Sequence, residues 1–378
     1  MRKARVLIVD DAAVIRHVIT EALSADPAIE VAGEAENGRV ALQMIPQVKP
    51  DIVTLDLELP ELDGLRTLRE IRKSYPRLPV IMFSAYTERG ASDTLEALHS
   101  GASDYVAKPA TSGGKALARQ RICQDLIPKI RSLCHVDSPL DAADPHARHS
   151  PPPFLMRPLG RPTRADVVAM ALSTGGPTAL QIILGGLATD FRAPILVVQH
   201  MPDMYTRMLA QRLNGQTPLS VVEADDDMPV QAGTVYIARG DVHLTVRKKD
   251  AGQIVTALDR GQPEHSRRPS ADVLFRSIAD VYGAHALALV LTGMGGDGLK
   301  GSEYIARAGG RVVVQDEATS TVWEMPGRVV HAGLADAVLP IGDIAAELVR
   351  RTARARDTDL LPPVAKRAAQ RSFTGDLS

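Results

Sequence analysis

Short apolar runs alternate with amphipathic stretches over residues 1–110. Val6–Val9, Val31–Gly33, Ile52–Leu55, Val80–Phe83 and Tyr105–Ala107 have the length and composition of buried strands. Between them, Val14–Leu23, Val40–Ile45, Leu65–Ile71 and Thr94–Leu98 carry helical periodicity, and Lys115 to about Leu133 supplies a last helix. Strand and helix alternating five times predicts a parallel sheet wrapped by helices on both faces, a flavodoxin-like (βα)5 unit at residues 4–125.

The pattern then lapses. Pro128 to Thr163 holds eight of the 26 prolines, including Pro151–Pro153, and little apolar periodicity, so 126–163 reads as a Pro-rich linker. Alternation resumes with strand-like Val167–Leu172, helical Thr178–Leu187, strand-like Ile195–Gln199 and helical Tyr205–Leu213. Val235–Ala238, His243–Val246 and Ile254–Ala257 look like a β meander inserted in this pattern. Helix Ser270–Tyr282, strand Ala286–Leu291, helix Leu299–Ala308 and strand Val312–Val314 follow. The expectation is a second, doubly wound, mostly parallel α/β sheet at 164–349, then a basic, disordered tail at 350–378.

Composition narrows the function classes. At 378 residues two domains are the natural division, and 45% apolar with 24% charged residues suits a globular protein. A net charge of −1 and 3% aromatics argue against nucleic acid as a partner. A DNA-binding regulator fails further, because no compact helix-turn-helix pattern or strong basic patch occurs in the second domain. No stretch approaches the roughly 18 apolar residues of a membrane span, and Val6–Val9 is too short for a secretory core, so no direct membrane insertion is expected. Two cysteines, Cys123 and Cys134, make no disulfide framework, which fits a cytoplasmic location.

The candidate chemistry lies where strands end. Asp10 and Asp11 follow the first strand and Asp56 the third, so three carboxylates share the ligand-binding edge of the sheet. Such a cluster suits an oxygen-liganded cation, Mg²⁺ foremost. Ser84 and Lys108 end the fourth and fifth strands on that edge. Asp56 could accept a phosphoryl group there, with Mg²⁺ and Lys108 stabilising the charge; singly, each residue could equally be a loop acid or a helix cap, as Asp63 before Gly64 is expected to be.

In the second domain, Ser173-Thr174-Gly175-Gly176-Pro177 turns from strand to helix, His200 follows the next strand, and Asp297 sits in the glycine-rich loop Thr292–Gly298. Taken alone, the Ser-Thr-Gly-Gly turn could be an N-cap or a phosphate-cradling loop. Serine, histidine and aspartate after three separate strands are nonetheless what a Ser/His/Asp hydrolase needs. Their chain order matches neither α/β-hydrolases, chymotrypsin nor subtilisin. His265-Ser266-Arg267-Arg268-Pro269 is either a basic patch facing an acidic substrate or a loop before a helix N-capped by Ser270; His243, His285 and His331 read as structural or surface residues.

VDD, LDLELPELDG, MFSA and AKP together resemble a two-component receiver domain, and STGGP, VQHMP, HSRRPSADVLF, LTGMGGDG and WEMPG resemble the catalytic domain of the CheB family of chemotaxis protein-glutamate methylesterases. The resemblance implies phosphorylation of Asp56, a Mg²⁺ site at Asp10, Asp11 and Asp56, and a switch through Ser84 and Lys108. It implies Ser173 as nucleophile, His200 as base, Asp297 as orienting acid, and Thr174 with the Met294 backbone in the oxyanion region, with no cofactor for the ester hydrolysis. The implied reaction is hydrolysis of γ-glutamyl methyl esters on chemoreceptor cytoplasmic domains, with glutamine deamidation as a second activity. The implied phosphodonor is a histidine kinase of the CheA type. The chain departs from the family where Ala171-Leu172 replaces Gly-Ala before the serine and Glu324 replaces the glycine before Met-Pro. Neither change removes a reacting group, so activity is expected; the competing reading is a catalytically silent receiver-linked signalling module.

Overall fold

The computed structural model describes residues 2–85, 87–108, 114–136, 164–250 and 252–353. The Pro-rich segment beyond Val136 and most of the expected tail lie outside the described residues.

The N-terminal unit is the expected (βα)5 fold. Strands β1 (Ala4–Val9), β2 (Ile29–Ala35), β3 (Ile52–Asp56), β4 (Val80–Ser84) and β5 (Asp104–Ala107) lie in the order β2-β1-β3-β4-β5, all parallel. Helices α1 (Ala13–Ser24), α2 (Gly38–Val48), α3 (Gly64–Ser74), α4 (Glu88–His99) and α5 (Gly114–Leu133) cover both faces. The central strands are buried on both sides, which is why they read as unbroken apolar runs. Asp63 caps α3 by accepting the Arg66 N–H at 2.8 Å, as its place before Gly64 predicts. Helix α5 passes residue 125, the expected end of the unit, and continues to Leu133.

The second sheet has seven parallel strands in the order β14-β13-β12-β6-β7-β9-β8. They are β6 (Val167–Leu172), β7 (Ile195–Gln199), β8 (Ser220–Glu223), β9 (Thr234–Ile237), β12 (Ala286–Val290), β13 (Arg311–Gln315) and β14 (Ala337–Leu339). The inserted β structure is narrower than the sequence pattern suggests. The run at 235–238 is β9, which pairs parallel with β7 and β8 inside the main sheet. Only β10 (His243–Lys248) and β11 (Ile254–Asp259) form a separate antiparallel hairpin. Helices α6 (Gly176–Gly185), α7 (Asp203–Gln216), α8 (Ala271–Tyr282), α9 (Leu299–Arg307), α10 (Glu324–His331) and α11 (Ile341–Thr352) complete the layers. Helix α11 extends past residue 349, so the first residues of the expected tail are helical.

The strand order of this sheet reverses at β6, which lies between β7 and β12, and a reversal opens a crevice at the C-terminal strand ends. In register, Leu172 lies opposite Gln199 and Ala171 opposite Val290. The residues that leave β6, β7 and β12 therefore emerge together. Among the described residues, no helix is long and apolar enough to cross a membrane.

Candidate functional sites on two sheet edges

On the N-terminal sheet, Asp10 and Asp56 are buried and Asp11 is exposed, and carboxylate oxygens of all three lie within 4.8 Å of one another. Lys108 Nζ stands 2.5 Å from Asp56 and 3.0 Å from Asp10. Burial pushes the Asp56 carboxyl up to about 6, against the pull of Lys108 and with Asp10 adding to the rise. One ammonium thus faces three carboxylates, a donor set with charge left over for a divalent cation. Ser84 ends β4 on this edge, but its hydroxyl points to α4, donating to the Gly90 carbonyl at 3.0 Å.

On the second sheet, Ser173 leaves β6 at a tight turn that Gly175 enters at φ +80°. Gly176 begins α6, and a Cβ there would stand 1.9 Å from the Gln199 carboxamide oxygen, so only glycine lets the helix approach β7. Gln199 Nε2 donates to the Ser173 carbonyl at 2.9 Å and the His200 N–H to the Leu172 carbonyl at 3.1 Å, fixing the two turns against each other. His200 Nε2 lies 2.8 Å from Asp297 Oδ2, and both side chains are buried. Burial alone would raise the Asp297 carboxyl; His200 and the Ala271 and Asp272 N–H groups outweigh it and hold the carboxyl below the usual carboxylate range. With Nε2 engaged, Nδ1 is the nitrogen left for proton transfer, and it is buried with no hydrogen-bond partner among the described residues. Ser173, 7% exposed, lines the same narrow cleft as His200, Thr174 and Met294. Among the described contacts no hydrogen bond joins the Ser173 hydroxyl to His200.

The remaining sequence candidates separate. Leu172 is fully buried in the core and does not crowd the cleft. Of the basic run, Arg267 lines the cleft, whereas His265 Nε2 lies 2.8 Å from Asp272 and Arg268 donates to the carbonyls of Arg260 and Gly261. Ser270 occupies the N-cap position of α8, yet its hydroxyl makes no capping bond to that helix. His243 is buried and structural, as expected. Glu324 does not stand free over the groove: one oxygen accepts the Gly295 N–H at 2.8 Å, and the other accepts the hydroxyl of Ser132 on α5.

That last contact belongs to a wider one. The α4–β5–α5 face of the N-terminal unit lies over the cleft, so Leu98, Asp104, Tyr105 and Lys129 line it together with Ser173 and His200. The Thr174 hydroxyl donates to Asp104, which Lys129 also meets at 2.8 Å. Tyr105 stacks on Tyr205 of α7 with ring centroids 4.6 Å apart. Arg212 of α7 reaches Glu96 of α4 at 2.7 Å, and His99 reaches Gln181 of α6 at 2.8 Å. Asp104, Lys129 and Gln199 line the cleft, and Ser270 and Gln315 bond to Asp297 and Thr292 beside it, although the sequence pattern does not single these five out. Gln199 and Gln315 carry the signal that marks Asp56, a polar residue closing an apolar strand; Gln315 accepts the Thr292 N–H at 2.9 Å.

Comparison with known proteins agrees with this architecture. The family model described as CheB methylesterase matches residues 168–348, and that of the response regulator receiver domain matches residues 6–115. A protein-glutamate methylesterase/protein-glutamine glutaminase of Trichodesmium erythraeum is 46% identical over 358 residues, covering 93% of this chain and 99% of the relative. Its counterpart from a Nocardioides species is 47% identical, covering 93% and 96%. Among solved structures, the Thermotoga maritima CheB methylesterase catalytic domain is 39% identical over 50% of this chain and 99% of that one, with a TM-score of 0.48. Near half identity sustained across both domains and the whole length of these relatives makes the chain a member of the CheB methylesterase family, with a receiver domain at its N-terminus.

Proposed function

We propose that the protein hydrolyses γ-glutamyl methyl esters on chemoreceptor cytoplasmic domains, releasing methanol, under control of phosphorylation at Asp56 by a histidine kinase of the CheA type. The observation that carries this reading is the buried His200–Asp297 pair beside Ser173 at the point where strand order reverses. The names of the curated relatives, protein-glutamate methylesterase/protein-glutamine glutaminase, support the same reaction.

In this mechanism the Ser173 hydroxyl attacks the ester carbonyl and passes its proton to His200 Nδ1, while Asp297 holds the imidazole and stabilises its charged form. The developing oxyanion meets donors at Thr174 and the Met294 backbone. Collapse expels methoxide, which takes the proton from His200 and leaves as methanol. Water, deprotonated by His200, then opens the acyl-enzyme and yields the γ-carboxylate with free Ser173. An amide substrate follows the same course with ammonia as the leaving group, which gives deamidation of receptor glutamines.

Asp56 takes the phosphoryl group, with Lys108 beside it. Asp10, Asp11 and Asp56 would hold Mg²⁺, whose charge offsets that of the phosphoryl oxygens when it is bound. The receiver face over the cleft makes the unphosphorylated form the low-activity one. Tyr205 lies between the two edges, with its hydroxyl near Ser84 and Thr94 and its ring stacked on Tyr105. Kinase and receptor domain meet the protein in the cytoplasm.

The test is methanol release from methylated chemoreceptor, with and without a small phosphodonor plus Mg²⁺, beside Ser173→Ala. Release that depends on Ser173 and rises with phosphodonor is expected. No release under either condition from folded protein would instead make the chain a silent signalling module.

A further inference from the structure

We infer that Ser270 is a positioning residue of the hydrolase site, acting through Asp297. This rests on the assignment of Ser173, His200 and Asp297 proposed above.

A serine at an N-cap position normally accepts a hydrogen bond from its own helix. Ser270 does otherwise: its hydroxyl donates to Asp297 Oδ1 at 2.7 Å, and it makes no bond to the N–H groups of α8. Asp297 takes over the capping, accepting the Ala271 N–H on Oδ2 and the Asp272 N–H on Oδ1, at 2.7 and 2.9 Å. The carboxylate is thereby divided, with Ser270 on one oxygen and His200 on the other.

Ser270 is itself fixed from behind. Its backbone N–H donates to His243 Nδ1 at 3.1 Å, and His243 Nε2 lies 3.0 Å from the Gln262 carbonyl, which requires the proton on Nε2. Ser270 is 0% exposed, so no solvent replaces its hydroxyl once it is removed. A carboxylate that loses one of its charge-assisted donors is less firmly oriented, and the imidazole it holds follows. A serine needed only for packing or for starting α8 would show none of this dependence on Asp297.

The test measures methanol release by the full-length protein, with saturating phosphodonor and Mg²⁺ and a methylated chemoreceptor cytoplasmic fragment as substrate. Ser270→Ala is expected to lower kcat about tenfold with KM within about twofold of wild type, the order of effect for one hydrogen bond to a charged group. In an Asp297→Asn background the same change is expected to add less than about twofold, because the group it acts through is already altered. Should Ser270→Ala fail to fold, Ser270→Cys, close in size with a weaker donor, takes its place and is expected to fall between wild type and one tenth of its rate. Wild-type kcat in a folded Ser270 variant would overturn the inference. So would an equal loss in both backgrounds, or a change confined to KM. Ser173→Ala and Asp297→Asn run in parallel: if either keeps wild-type turnover the triad assignment fails, whereas if both lose turnover and Ser270→Ala does not, only the role of Ser270 fails.

Discussion

Thr174, next in sequence to Ser173, donates its hydroxyl to Asp104 at the start of β5 in the receiver. A carboxylate therefore sits in the region proposed to receive an oxyanion, where its charge opposes the one that must develop. In the proposed mechanism the receiver thus covers the cleft and also occupies a donor assigned to the transition state. Replacing Asp104 with asparagine removes the charge, so the closed state loses a charge-assisted hydrogen bond. The rate of methanol release without phosphodonor is expected to rise about tenfold, and the rate with saturating phosphodonor to stay near wild type. An unchanged unphosphorylated rate would show that Asp104 does not help hold the site closed.

Glu324, one of the two places where the sequence reading sets the chain apart from the family pattern, joins the glycine-rich loop at Gly295 to Ser132 on α5. Ser132→Ala cuts the link from the receiver side and Glu324→Gly from the other. Each is expected to raise the unphosphorylated rate about two- to fivefold, the worth of one exposed polar contact. The double variant is expected to match the larger single effect, since both changes break one contact. Simple multiplication of the two effects would mean that Glu324 and Ser132 act separately.

Much of this organisation is legible in the sequence because parallel strands buried on both faces leave unbroken apolar runs, and the next polar residue marks the ligand edge. Asp56, Ser84, His200 and Gln199 all obey that rule, and so does Gln315, whose amide side chain carries no chemistry that marks it from sequence alone. Four elements gave too weak a pattern. Strand β8 is partly exposed and β14 has three half-buried residues, so neither presents a continuous run. Helix α10 hides behind Pro326 and Gly327, which suggest a turn, although proline is tolerated in a helix's first turn. Helix α11, buried at Ile344, Ala345 and Leu348, follows Pro340 and merges into the basic tail. The bond between Thr174 and Asp104 left no local trace, because it depends on how two separately folded units dock. Ser270 had a sufficient local explanation as an N-cap, and that concealed its bond to Asp297.

Tyr205 of the hydrolase domain lies beside the receiver switch, its hydroxyl near Ser84 and Thr94 and its ring stacked on Tyr105. If Ser84 turns toward a phosphoryl group on Asp56, that approach is lost, and with it one of several contacts that hold the receiver face over the cleft. Tyr205→Phe keeps the ring and removes the hydroxyl. It is expected to raise the unphosphorylated rate about two- to fivefold and to shrink the stimulation by phosphodonor by the same factor. Phosphorylation of Asp56, followed with a labelled donor, should proceed as in wild type. Full stimulation retained in Tyr205→Phe would mean that the switch reaches the cleft by another route.

Asp297 links catalysis to acid stability. Its carboxyl titrates lower in the folded protein than in the unfolded chain, so unfolding takes up a proton once pH falls below the ordinary carboxylate value of about 4. The stabilisation is therefore complete above that value and drains away as pH drops toward the folded one. Asparagine has no such dependence. Asp297→Asn is expected to destabilise the hydrolase domain by roughly 1–3 kcal/mol at pH 7, and the gap from wild type should narrow below about pH 4. Trp323, the single tryptophan, lies just before α10 in this domain, so its fluorescence in a urea titration reports the domain's own unfolding. The same variant should lose about 10³-fold in kcat at pH 7, because a neutral carboxamide neither fixes the imidazole tautomer nor offsets its charge. A gap that stays constant down to pH 3 would show that the Asp297 charge does not stabilise the fold, and that the amide's shape and donors account for the difference.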